Sequence, residues 1–135
     1  MQVETGSAAE TEAAAAQLGA RLRAGDVVLV SGELGSGKTT FVRGACRALG
    51  VTGAVTSPTF TIGRLYAGDP EVAHVDLHRL ESLGREDPGL LDDYLTPARV
   101  GFVEWPGVAE PLLERVAARV RLEHLGHDRR RLTIS

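Results

Sequence analysis

The chain has 135 residues, of which 43% are hydrophobic and 24% are charged, as is typical of one globular domain of ordinary size. Its net charge of -3 argues against a surface built to neutralise many nucleic-acid phosphates. No apolar run approaches the roughly 20 residues of a membrane-spanning helix, and residues 1–16 lack the basic start and apolar stretch of a secretory signal. We therefore expect a single cytoplasmic domain over residues 1–135, with no membrane segment.

The first third of the chain predicts a helix, a strand, a glycine-rich loop and a second helix. Residues 8–23 are rich in Ala, Leu and Arg and follow Ser7, a residue suited to capping a helix. Residues 27–30 read VVLV, an apolar run typical of a strand buried on both faces. Apolar residues between 38 and 49 fit one face of a helix, which Gly50 would end.

The rest of the sequence predicts shorter helices and strands. They are strands at about 61–67 and 72–76, irregular helix at 77–95, a strand at 100–103, a short helix at 108–115, and strands at 117–124 and 129–134. This alternation predicts an α/β fold of the P-loop NTPase kind, with a mostly parallel sheet flanked by helices and antiparallel edge strands at the C-terminus.

Residues 32–39 read GELGSGKT, a complete Walker A sequence. Glycines in such a loop let backbone N–H groups line a concavity, and the following helix presents its positive end there, so the motif predicts a polyphosphate ligand. Lys38 would reach the β- and γ-phosphates, the Thr39 hydroxyl would bind Mg²⁺, and Thr40 would support the α-phosphate. The loop residues that would contact the nucleotide are Gly35, Ser36 and Gly37. The predicted ligands are therefore ATP and Mg²⁺, and the alternative is a plain glycine turn before a helix.

Two acids follow apolar strands. Asp76 comes after VAHV and Glu104 after VGFV. Because the carboxyl ends of parallel strands meet at one edge of a sheet, we expect both beside the glycine-rich loop. A carboxylate there can hold Mg²⁺ or position the attacking water, so Lys38, Asp76 and Glu104 are candidate catalytic residues, while surface acids are the alternative. His74, two residues before Asp76, is expected to be a packed or hydrogen-bonded structural histidine.

Several other residues allow two interpretations. Glu33, inside the loop, should face outward or act on partners and water, because an acid beside a triphosphate would repel it. Hydroxyl residues in the loop at 56–61 either sense the γ-phosphate or simply form a turn. Arg129–Arg131 is either a solvated strand end or a contact to nucleotide or an acidic partner. Cys46 is expected to be a buried small hydrophobe, and Trp105 a packing or interface residue.

Four segments together resemble the TsaE (YjeE) family, the ATPases of bacterial tRNA threonylcarbamoyladenosine synthesis. They are GELGSGKTT at 32–40, TSPTFT at 56–61, HVDLHRL at 74–80 and VEWP at 103–106. The resemblance implies a protein that binds ATP, hydrolyses it weakly alone, and acts with TsaB and TsaD subunits. Those partners transfer a threonylcarbamoyl group to the adenosine beside the tRNA anticodon, so this chain would meet tRNA only through the complex.

The resemblance also assigns roles to residues. Thr39 and Glu104 match the family's Mg²⁺ ligands, and Asp76 matches an acid required for hydrolysis. The loop at 56–61 matches a switch-like segment. Residues matching segments that approach the nucleotide are Thr11, Glu12 and, in the C-terminal tail, His127.

The residues alone are also compatible with other classes of P-loop protein. A small-molecule or nucleoside kinase uses the same loop, although the chain has little length for a lid and an acceptor pocket. A GTPase is less favoured, because no Asn-Lys-x-Asp guanine-reading sequence is present. A third reading is a module in which ATP rigidifies an interface without turnover.

Overall fold

A computed structural model describes residues 1–33, 35–58, 62–77, 88–105, 107, 113 and 115–135. Two α-helices, one 3₁₀ helix and seven strands are defined in these ranges. The helices are α1 (Ala8–Gly19), α2 (Lys38–Ala48) and the 3₁₀ helix (Pro88–Asp93). The strands are β1 (Gln2–Thr5), β2 (Val27–Gly32), β3 (Gly63–Tyr66), β4 (Glu71–Asp76), β5 (Arg99–Glu104), β6 (Val116–Gly126) and β7 (Arg129–Ile134).

The strands form one seven-stranded sheet in the order β1-β7-β6-β2-β5-β4-β3. The central strands β6, β2, β5 and β4 run parallel. Strands β7 and β1 at one edge, and β3 at the other, are antiparallel to their neighbours. The α/β class is confirmed, but the sheet is mixed and not mostly parallel, because hairpins extend the parallel centre on both sides.

Helix α1 begins as the sequence indicates and ends earlier. The Ser7 hydroxyl oxygen accepts a hydrogen bond from the amide of Glu10 at 3.1 Å, the contact expected of an N-cap. The predicted end at residue 23 is wrong, since the helix ends at Gly19. There α1 lies so close to α2 that a Cβ atom on Gly19 would stand 2.5 Å from the carbonyl oxygen of Ala45. The chain then turns, and the Leu22 side chain enters the core.

Most predicted strands are confirmed to within a few residues. Strand β1 was not predicted, because its residues QVET have no apolar run, and it forms by pairing with β7. The predicted helix at 108–115 falls mostly on residues 108–112 and 114, which lie outside the described part of the chain. Of the irregular helix predicted at 77–95, residues 78–87 also lie outside it, and a 3₁₀ helix occupies Pro88–Asp93.

The core has two layers, one on each face of the sheet. Val28 and Val30 of β2 face α1 and α2, whereas Val27 and Leu29 face the 3₁₀ helix through Leu91. Burial of β2 on both faces is therefore confirmed, and this strand carries the glycine-rich loop at its carboxyl end. Within the described ranges, no helix is both long and apolar enough to span a membrane.

Candidate functional site

The glycine-rich loop joins β2 to α2 through backbone that favours glycine. Gly35 and Gly37 have φ values of 77° and 102°, which lie in the left-handed region. Gly37 is the N-cap of α2 and offers no side chain to bond the first amides of the helix. The Ser36 hydroxyl is buried and has no partner among the described residues. The positive end of α2 thus faces the place where an anion would sit.

Lys38, the only lysine in the sequence, is folded onto this loop. Its side-chain nitrogen donates hydrogen bonds to the carbonyl oxygens of Gly32 at 2.7 Å and Glu33 at 2.9 Å, and it lies 4.5 Å from the centroid of the Trp105 ring. Trp105 therefore packs beside the loop. Burial lowers the pKa of the Lys38 ammonium, because desolvation disfavours its charge. Glu33 is exposed, so the prediction that it faces outward is confirmed.

The two predicted acids stand side by side. Asp76 and Glu104 are register partners at the carboxyl ends of β4 and β5. The negative charges of Glu104 and Asp76 raise the pKa of Lys38 and partly offset its desolvation, so all three groups share one region. The expected convergence of these strand ends at the loop is therefore confirmed, while the catalytic roles of the three residues remain predictions.

A buried histidine fixes the carboxylate of Glu104. His74 is fully buried and Glu104 is 2% exposed, and the His74 Nε2 and Glu104 Oε2 atoms are 2.5 Å apart. The second ring nitrogen of His74 has no partner within the described ranges. The prediction of a hydrogen-bonded structural histidine is confirmed, but its partner was not foreseen. The available signal was alternation, which puts His74 and Asp76 on one face of β4, beside the matching face of β5.

The beginning of the 56–61 loop reaches the first turn of α2. The hydroxyl oxygens of Thr39 and Ser57 are 2.5 Å apart. The Tyr66 hydroxyl donates to the carbonyl oxygen of Thr56 at 2.9 Å and accepts from its amide at 3.2 Å, which ties the loop to β3. The other half of the loop, residues 59–61, lies outside the described residues. The loop thus contacts the predicted metal ligand, and its switch-like role remains a prediction.

The two candidates on α1 are engaged in local contacts. Thr11 is buried, and its hydroxyl oxygen lies 2.7 Å from that of Thr5. Glu12 is partly exposed and forms an ion pair with Arg43 at 3.9 Å. Thr40 lies partly buried in the first turn of α2. None of these contacts decides whether the three residues touch a nucleotide, which remains a prediction.

The C-terminal hairpin brings one basic side chain, that of Arg130, to the loop. His127 lies in the turn between β6 and β7, and its carbonyl oxygen accepts hydrogen bonds from Arg130 at 3.0 Å and from His124 at 2.8 Å. The Nη2 atom of Arg130 is 3.5 Å from the carbonyl oxygen of Gly35. The hairpin turn that contains His127 therefore lies near the loop through Arg130, a residue that the sequence offered only as part of a basic cluster.

The oxygen groups at this edge suit a magnesium ion held together with phosphates. No group of three or more His, Cys, Asp or Glu side chains that could cage a metal occurs in the described part of the chain. Mg²⁺ at nucleotide sites is typically held by one or two protein oxygens, phosphate oxygens and water. The Thr39 hydroxyl and the Glu104 carboxylate are ligands of that kind, so the donor set fits a nucleotide-bound ion.

The structure thus defines an α/β protein with a Walker A sequence between its second strand and second helix, and with two carboxylates beside it. The family model described as "Threonylcarbamoyl adenosine biosynthesis protein TsaE" matches residues 5–132, and the chain belongs to the TsaE family. The resemblance seen in the four sequence segments is therefore confirmed, and the family takes part in the synthesis of this tRNA modification.

This chain is similar to known proteins over most of their length. The tRNA threonylcarbamoyladenosine biosynthesis protein TsaE of Bacillus subtilis is 39% identical over 127 residues, covering 93% of this chain and 79% of the relative. The protein of the same name from Mycobacterium bovis is 41% identical over 129 residues, covering 86% and 74%. The crystal structure of Bacillus subtilis YdiB superposes with a TM-score of 0.78 at 30% identity, covering 99% of this chain and 83% of that one.

Proposed function

We propose that this chain is a cytoplasmic P-loop ATPase that binds ATP with Mg²⁺ and serves the synthesis of tRNA N⁶-threonylcarbamoyladenosine together with TsaB-like and TsaD-like subunits. The observation that carries the proposal is the convergence of Lys38, Asp76 and Glu104 beside the N-terminus of α2. Membership of the TsaE family supplies the pathway.

Phosphate binding follows from the loop and its lysine. Backbone amides at the start of α2 attract negative charge, and the glycines at 35 and 37 leave room for phosphate oxygens to approach the backbone. Lys38 now donates to the neutral carbonyl oxygens of Gly32 and Glu33. A phosphate oxygen is a stronger acceptor, because both members of that hydrogen bond are charged. We expect Lys38 to exchange the carbonyls for the β- and γ-phosphates.

Thr39 and Glu104 would hold Mg²⁺ beside those phosphates, where the ion would supply positive charge that offsets the negative charge on the phosphate oxygens. The Thr39 hydroxyl must leave Ser57 for this role, so metal binding and the 56–61 loop are coupled. His74 keeps one Glu104 oxygen fixed. Asp76 is the register partner of Glu104, and we expect it to orient the attacking water and to accept its proton.

The proposal gives the chain no part in the transfer of the threonylcarbamoyl group. Its net charge of -3 disfavours direct binding to a tRNA backbone, because such binding depends on many Lys and Arg contacts to phosphate. ATP turnover would instead act on the partner subunits, and tRNA would be reached through the complex.

The test is ATP consumption by the purified chain, alone and then with TsaB, TsaD and tRNA. We expect slow hydrolysis alone and faster hydrolysis in the mixture, and formation of the modified nucleoside once an activated threonylcarbamoyl donor is added. Glu104→Gln keeps the shape and the contact to His74 but loses the charge, and it should lower turnover by roughly 100-fold while ATP binding persists.

Glu71→Gln is the matched control, because Glu71 lies at the opposite end of β4 and pairs with Arg99 at the surface. It should leave turnover within about twofold of the unaltered chain. Failure of the complete mixture to stimulate hydrolysis would contradict the proposal. Full nucleoside formation by Glu104→Gln would instead favour a module that binds ATP without turnover, and phosphorylation of an added nucleoside would favour a kinase.

A further inference from the structure

Three consecutive arginines begin β7, and they differ in their partners. Arg129 and Arg131 both pair with the carboxylate of Glu4, at 3.6 and 3.4 Å, and Arg131 also reaches Glu123 at 3.9 Å. Arg130 points to the other face of the strand and forms no ion pair with any residue that the structure describes. The positive charge of Arg130 is therefore the one of the three that no described carboxylate neutralises.

The Arg130 guanidinium is held against the glycine-rich loop. Its Nη1 atom donates to the carbonyl oxygens of His127 and Arg129, both at 3.0 Å. Its Nη2 atom lies 3.5 Å from the carbonyl oxygen of Gly35, and its Nε atom lies 3.5 Å from the position that a Cβ would take on Gly37. The guanidinium thus spans the two glycines that shape the loop, and the hairpin turn fixes it there.

The strand order shows which side of the loop Arg130 occupies. The loop follows β2, with β5 and β4 on one side of that strand and β6 and β7 on the other. Asp76 and Glu104 are on the first side, so the metal and the γ-phosphate belong there. Arg130 approaches from the second side, away from the reacting phosphate.

We propose that Arg130 is a nucleotide-binding residue that contacts the α- and β-phosphates of ATP from the C-terminal hairpin. This inference rests on the proposed ATP binding. A guanidinium already held by neutral carbonyls loses little freedom when it binds an anion, and its planar fork suits two phosphate oxygens at once. Because ATP and ADP share the α- and β-phosphates, loss of Arg130 weakens the binding of both nucleotides by the same factor.

Calorimetric titration of ATP, ADP and adenosine into the full chain tests this assignment. Arg130→Ala should weaken both nucleotides by the same factor, roughly tenfold to 100-fold, and leave adenosine unaffected. Arg130→Lys should restore part of the loss, because it keeps the charge without the fork. Arg131→Ala is the matched control, since it removes the same charge from the next residue, on the opposite face, and should change each affinity by less than about twofold.

Three results would overturn the inference. Unchanged nucleotide affinity in Arg130→Ala would show that Arg130 does not contact the nucleotide. An equal loss for adenosine would mean that Arg130 only maintains the hairpin turn, and a loss confined to ATP would place it at the γ-phosphate. If the unaltered chain bound neither ATP nor ADP, the proposed function itself would fail, and that outcome is distinct from all three.

Discussion

The helix layer and the carboxyl edge of the sheet are both buried, but they bury opposite kinds of group. Under α1 and α2, the buried side chains are almost all apolar and contact one another. At the edge, the buried groups include Lys38, His74 and Glu104, at 6%, 0% and 2% exposure. Burying apolar surface stabilises a fold, whereas burying an ionisable group is costly unless it has partners. We therefore expect the first region to set stability and the second to serve ligand binding, and substitutions should separate the two.

The largest stability loss is expected in the helix layer at Leu49, which follows α2 and is 4% exposed. Leu49→Ala should lower the free energy of unfolding by about 2–5 kcal/mol, because it removes buried methyl groups and leaves a cavity. ATP affinity of the folded protein should not change, since Leu49 is at the far end of α2 from the loop. Urea unfolding and ATP titration measure both, and Leu65→Ala, at an exposed position, is the control.

A smaller loss is expected where the two helices touch. In Gly19→Ala, the new methyl group would meet the carbonyl oxygen of Ala45 at 2.5 Å, so α1 must shift. We expect a cost of about 1–3 kcal/mol, as for other overpacked sites. Thermal unfolding measures it, with Gln17→Ala on the exposed side of α1 as the control. Equal stability of the two variants would mean that the close approach of the helices contributes nothing.

A still smaller loss of stability is expected for Ser57→Ala, at the carboxyl edge of the sheet. The variant removes the hydroxyl that lies 2.5 Å from that of Thr39, at a partly buried position, so stability should fall by only about 1 kcal/mol. Because the Thr39 hydroxyl no longer has to leave Ser57, the Mg²⁺-dependent gain in ATP affinity should increase, by up to about tenfold. Titrations with and without Mg²⁺ measure that gain. A smaller gain would show that Ser57 assists the metal site instead of competing for Thr39.

The smallest effect at neutral pH is expected at Cys46, which is buried in the helix layer as predicted. Burial raises the pKa of its thiol from 9.0 to about 12. Because the pKa is higher in the folded state, the stabilising contribution is complete below pH 9.0 and is lost as pH rises from about 9 towards 12. Unfolding measured across that range should show the loss, and Cys46→Ala should reduce it. Rapid alkylation of the native thiol near neutral pH would contradict this burial.

Local signals in the sequence explain what could be predicted. The VVLV strand, the glycine loop and α2 are adjacent in the chain, so composition and spacing were sufficient to find them. The proximity of Asp76 and Glu104 could be predicted, because the carboxyl ends of parallel strands lie at one edge of a sheet. Alternation shows which side chains of β4 share a face, but the His74–Glu104 contact also depends on the register between β4 and β5, which no local pattern specifies. Strand β1 forms only by pairing with β7, and Arg130 reaches Gly35 across 95 positions of sequence, so both required the folded chain.

The central claim is that the glycine-rich loop and Lys38 bind the phosphates of ATP. The most direct test is calorimetric titration of ATP with Mg²⁺ into the unaltered chain and into Lys38→Ala, with Arg21→Ala as an exposed control that also removes one positive charge. We expect Lys38→Ala to bind roughly 100-fold more weakly, while Arg21→Ala binds as the unaltered chain does. Equal ATP affinity in the folded Lys38→Ala variant and the unaltered chain would contradict the claim.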